Sequence, residues 1–93
     1  MSDVLAQLWQ TIEERKLNAP AGSYTAGLFA AGLPRIAQKV GEEAVEVAVA
    51  SLSQDDERVL AEMADLVYHA LVLLSARNLT WEQVEGELAR RFK

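Results

Sequence analysis

The chain has 93 residues, no cysteine, 51% hydrophobic residues, and nine Lys and Arg against fourteen Asp and Glu, for a net charge of −5. That length makes a single domain, residues 1–93, burying about 60–68% of its unfolded surface, and the missing thiols exclude disulfides and thiolate metal sites. The acidic balance excludes duplex nucleic acid as the partner, and the opening MSDVLAQLWQ carries no signal-peptide pattern, so the expectation is a cytoplasmic protein.

Hydrophobic periodicity predicts helices throughout. Val4, Leu5, Leu8, Trp9 and Ile12 recur at helical spacing, giving a first helix from about Asp3 to Lys16. Asn18–Gly22 breaks it. Gly22-Ser-Tyr-Thr25 opens a short second helix that Gly32 ends, and Pro34 suits the first turn of a third, running to about Leu52. Ser53-Gln-Asp-Asp56 has the character of an N-cap followed by a negative first turn, starting a long fourth helix that Asn78 closes. Thr80-Trp-Glu-Gln83 is a capping box for a fifth, ending near Arg91. The fold class is all-α, a bundle of four to five helices. A fourth helix apolar almost all round needs more cover than three or four short neighbours supply, so a second copy of the chain should complete the bundle as a homodimer.

Acidic residues interrupt that apolar pattern at two places. Glu62 and Asp65 are the only acids in VLAEMADLVYHALVLLSA (Val59 to Ala76), and they stop it reading as a membrane span. At about 100° per residue, Glu62, Asp65 and His69 share one face, with Leu60, Met63, Val67, Leu71 and Leu74 on the others. In the third helix Lys39, Glu42, Glu43 and Glu46 form one stripe beside an apolar stripe of Ile36, Val40, Ala44 and Val47. A carboxylate buried without a counter-ion costs several kcal/mol, so two such faces packed antiparallel imply a cation between them. Removing Glu42, Glu43, Glu46, Glu62 and Asp65 from the count leaves as many acids as bases. Without a cation, some of the clustered carboxyls should hold protons above about pH 5.

A Glu-x-x-Glu pair alone is ordinarily a solvated helix face. Its recurrence on a nearly all-apolar helix favours the metal reading, and four acids with one His and no Cys favour a hard ion, Mg²⁺ or Mn²⁺. Lys39 is either an ion-pair partner or a phosphate-binding cation, His69 either a core histidine or a second-layer or substrate contact. Hard metals on carboxylates suit phosphoryl chemistry by metal-activated water, with Glu42 able to orient that water. No Gly-rich phosphate loop with a lysine is present.

Glu42-Glu43-x-x-Glu46 followed by Glu62-x-x-Asp65 resembles the signature of the all-α NTP pyrophosphohydrolase (MazG-like) superfamily. The words Gly22-Ser-Tyr-Thr-Ala26, Lys39-Val-Gly-Glu-Glu43 and Asp65-Leu-Val-Tyr-His69 resemble the phosphoribosyl-ATP pyrophosphatase (pyrophosphohydrolase) family, over nearly the whole chain. The resemblance implies hydrolysis of phosphoribosyl-ATP to phosphoribosyl-AMP and pyrophosphate, the second step of L-histidine biosynthesis. It implies Glu43, Glu46, Glu62 and Asp65 as Mg²⁺ ligands, Glu42 as further ligand or water-orienting base, and Lys39 on the phosphates. Ser23, Tyr24, Thr25, Tyr68 and His69 would lie around substrate, with Arg15, Arg90 and Arg91 as weaker phosphate contacts. The cyclohydrolase domain fused to some relatives needs metal-binding Cys, so the resemblance implies the stand-alone form, and it implies a dimer. Two alternatives stand beside it: a house-cleaning pyrophosphohydrolase of the same superfamily acting on dNTPs, and a non-enzymatic helical dimer whose acidic groove binds a basic partner.

Overall fold

The structure, a computed structural model, describes residues 2–92, and no strand occurs among them. Five helices follow one another: α1 (Asp3–Asn18), α2 (Tyr24–Ala31), α3 (Leu33–Ser53), α4 (Asp56–Ala76) and α5 (Trp81–Arg90). This is the expected all-α architecture, and its starts are set by local chemistry. Ser2, Ser23, Asp55 and Thr80 each accept a hydrogen bond from a first-turn amide, satisfying a donor that the helix itself leaves free. Thr80 and Gln83 form the capping box in full. Within Ser53–Asp56 the cap is Asp55, while Ser53 stays in α3 and bonds back to the Val49 carbonyl at 2.8 Å. Asn78, at φ 58°, turns the chain out of α4, and the Leu79 amide closes on the Leu74 carbonyl at 2.8 Å.

α3 and α4 form the spine. Each has 21 residues, and the short turn at Gln54 and Asp55 doubles them back into an antiparallel hairpin. α1 and α2 pack against the end of the hairpin remote from that turn. The buried core lies there: Ile12, Leu28, Ile36, Leu71 and Val72, with Trp9, Phe29, Tyr68 and Trp81 against it.

Toward the turn the hairpin has little cover within this chain. Of the apolar stripe expected on α3, Ile36 is buried, Val40 and Val47 are half-buried and Ala44 is exposed. On α4, Leu60 is 70% exposed and Met63 43%. The reason is length: α1 and α2 reach only one half of two helices about 30 Å long. Val45, Val49 and Leu52 on α3 stay exposed as well, and no residue of α5 is buried.

The acidic interruptions do not take α4 out of the range of a bilayer span: by length and mean hydropathy, 1.6 over its most apolar 18 residues, it qualifies. Its polar side chains nonetheless face partners in this chain. Glu62 pairs with Arg58, His69 meets Tyr24, and Ser75 bonds Glu13, which is how a helix packed in a protein core satisfies its polarity.

Candidate metal and phosphate site

The hairpin brings the two acidic pairs together because they are equally far from its turn: Glu46 comes level with Glu62, and Glu43 with Asp65. Carboxylate oxygens of Glu43, Glu62 and Asp65 lie within 4.8 Å of one another, close enough for small side-chain shifts to bring them onto one hard ion. Glu46 sits between its neighbours, hydrogen-bonded to both Glu43 and Glu62. Glu43 and Glu62 are each only 6% exposed, whereas Asp65 and Glu46 reach solvent.

Crowding of like charges shows in the protonation. Glu43 is pushed up from 4.5 to about 7, chiefly by its hydrogen bond to Glu46, then by burial and by the charges of Glu46 and Asp65. Glu62 is raised by burial first and by Glu46 second, against the pull of Arg58. Glu46 is held low because it accepts from both partners. The proton expected on this cluster therefore rests mainly on Glu43, shared with Glu46. An all-carboxylate donor set, compact and short of counter-charge, fits a hard divalent ion and offers nothing to a soft one.

Two cations flank the cluster. Lys39, one turn before Glu43, lies 3.5 Å from Glu42, and its charge opposes the rise at Glu43. Arg58, one turn before Glu62, contacts it at 3.0 Å. In an antiparallel hairpin these two positions fall at opposite ends of the acidic patch. Glu42 is outside the converging set: it is exposed, accepts from Gln38 at 2.9 Å, pairs with Lys39, and is held below the usual carboxylate range mainly by Gln38. It offers an acceptor from the rim.

The aromatic residues form a second layer joined to the first. His69 Nδ1 lies 2.8 Å from the Asp65 carbonyl, which can only accept, so Nδ1 carries the proton. Nε2 then accepts from the Tyr24 hydroxyl at 3.0 Å. Tyr68 stacks edge-on against His69, its hydroxyl bonds Thr25, and burial raises its pKa. α2 is thereby tied to the stretch of α4 that carries Asp65.

Other candidates stand elsewhere. Ser23 is occupied in capping α2, where the Ala26 amide donates to it at 3.1 Å. Arg15 pairs with Glu14 on the α1 surface. Arg90 and Arg91 both bind Glu87 on α5, and none of the three is in ion-pair contact with the carboxylates within this chain. Sequence reasoning missed Arg58, although its place four residues before Glu62 on a helix was signal enough to find it.

A family model described as Phosphoribosyl-ATP pyrophosphohydrolase matches residues 5–92. A protein named phosphoribosyl-ATP pyrophosphatase from Metallosphaera sedula is 53% identical over 93 residues, the full length of both chains. Its namesake from Ignicoccus hospitalis is 50% identical over 91 residues, covering 98% of this chain and 89% of the other. The histidine biosynthesis bifunctional protein HisIE of Vibrio cholerae is 52% identical over 89 residues, which span 96% of this chain but 42% of that protein.

Proposed function

The chain belongs to the phosphoribosyl-ATP pyrophosphohydrolase family, and on that premise we propose that it cleaves phosphoribosyl-ATP to phosphoribosyl-AMP and pyrophosphate with Mg²⁺. The reaction serves histidine biosynthesis, in the cytoplasm. The observation that carries the metal reading is the convergence of Glu43, Glu62 and Asp65 within 4.8 Å, bridged by Glu46. These four residues would hold Mg²⁺, with Mn²⁺ a competent substitute. Bound there, the ion supplies charge neutralisation on the phosphates and lowers the pKa of water.

The chain's own residues do the rest. Lys39 faces the phosphate charge from one end of the cluster, where preorganised positive charge stabilises what develops in the transition state. Glu42, ionised at neutral pH, accepts a hydrogen bond from water on the rim and aims it. The Tyr24–His69 bond fixes the backbone carbonyl of Asp65, and so the register of that ligand. Tyr68 would present its ring to the nucleotide beside the metal, with its hydroxyl held by Thr25. Ser23 shapes this wall through its cap, whereas Arg15, Arg90 and Arg91, paired with Glu14 and Glu87 in this chain, would meet substrate from a partner chain.

A homodimer is part of the proposal. Val45 lies level with Met63 along the hairpin, and Val49, Leu52 and Leu60 extend the same exposed apolar zone beside the acidic patch. A patch of this kind is ordinarily an interface. Turnover of phosphoribosyl-ATP and of a dNTP panel, read by coupled phosphate release with and without Mg²⁺, tests the function. Preference for dNTPs would install the house-cleaning alternative. No turnover of either, with stability indifferent to Mg²⁺, would leave a non-enzymatic acidic groove.

A further inference from the structure

Arg58 has a position that the reading above does not use. Its guanidinium makes the one direct ion pair with the set Glu43, Glu46, Glu62 and Asp65 among the described residues, at 3.0 Å from Glu62. The two partners differ sharply in exposure, 61% for the Arg58 side chain and 8% for that of Glu62. The carboxylate is fixed in the cluster, and the cation reaches it from solvent on a long side chain. Arg58 also borders two cavities: one of about 240 Å³ with Glu46, Val49, Gln54 and Glu62, and an open groove of about 780 Å³ with Gln54, Asp55, Glu57 and Ala61. Open space on both sides of a 61% exposed side chain gives the guanidinium room to leave Glu62.

Resting on the metal-site reading, we propose that Arg58 is a stand-in cation: it neutralises Glu62 until a divalent ion takes that carboxylate, then turns to an oxygen of the bound phosphate chain. Two cations competing for one carboxylate repel each other, so a metal that claims Glu62 expels the guanidinium. A planar guanidinium released beside metal-bound phosphate finds the anion it matches best, through two parallel N–H donors. With Lys39 at the opposite end, the phosphate chain would then lie between two cations. Arg58 acts here as a positioning residue for metal and phosphate.

The test is a pair of titrations at pH 8 on wild type, Arg58→Gln, Arg58→Lys and, as a charge control, the α4 C-cap variant Arg77→Gln. In the first, Mn²⁺ is titrated calorimetrically into metal-free protein. Arg58→Gln should bind it about fivefold more tightly, the screened effect of one unit charge removed from beside a divalent ion. Arg58→Lys and Arg77→Gln should stay near wild type. In the second, inorganic pyrophosphate is titrated at saturating Mg²⁺. Here Arg58→Gln should bind about tenfold more weakly, as expected for one charge-assisted hydrogen-bonded pair, and Arg58→Lys should fall between. Opposite signs in the two titrations are the signature. Metal affinity unchanged or weakened in Arg58→Gln would show that Arg58 merely holds Glu62 in place, and unchanged pyrophosphate affinity would show that it never reaches phosphate; either overturns the proposal. Wild-type protein that binds no Mn²⁺ would instead overturn the metal-site reading beneath it.

Discussion

Glu43 should make the metal-free protein lose stability as pH rises from about 4.5 to about 7. Its carboxyl titrates at about 7 in the fold against 4.5 for an unperturbed group, so between those values the folded state binds more protons than the unfolded state. Stability is then fully present below about pH 4.5 and is lost progressively up to about pH 7. If the whole displacement were expressed, the loss would be about 3 kcal/mol. Water at the exposed edge of the cluster screens part of it, leaving about 1–2 kcal/mol. For a domain of this size that corresponds to a fall in Tm of roughly 5–15 °C. The assay is thermal unfolding in chelator from pH 4.5 to 7.5, beside Glu43→Gln, which should be flatter over that interval. Groups held low, such as Glu42 and Glu14, contribute in the opposite direction and only toward lower pH. Saturating Mg²⁺ should remove the decline, because binding to ionised carboxylates stabilises the fold more as they deprotonate. A metal-free Tm that holds or rises from pH 5 to 7, equally in wild type and Glu43→Gln, would refute the crowded-carboxylate account.

Glu62→Gln keeps shape and hydrogen bonding while removing a ligand charge, so turnover should fall by orders of magnitude with circular dichroism unchanged; wild-type rates would remove Glu62 from the metal set. Leu71→Ala empties part of the fully buried core and should cost about 2–5 kcal/mol in denaturant unfolding, a loss that a well-covered core cannot escape. Val49→Glu places a charge in the exposed apolar zone of α3. Light scattering at micromolar concentration should report at least twice the chain mass for wild type and a shift toward monomer for the variant; a wild-type monomer would mean that this zone is not an interface. Lys39→Ala should lower turnover by about 10²–10³ with the fold intact, and unchanged kinetics would reduce Lys39 to the partner of Glu42.

Periodicity and caps in the sequence determined the five helices, because both are local: spacing of apolar residues sets a helix face, and Ser23, Asp55 and Thr80 satisfy amides within their own first turns. The acidic pairs were legible for the same reason, as polar breaks in apolar helices, and so was the family, whose motifs run along the chain. Partners across helices were not legible. That Glu42 falls to the rim while Glu46 bridges Glu43 and Glu62, and that His69 is locked between Tyr24 and the Asp65 carbonyl, depends on how far each helix is rotated in the hairpin. Ala44, Leu60 and Met63, apolar by pattern, are exposed within this chain. Helical spacing tells which side chains share a face; only the lengths and contacts of α1 and α2 decided which half of the α3–α4 hairpin is covered by this chain and which is left bare.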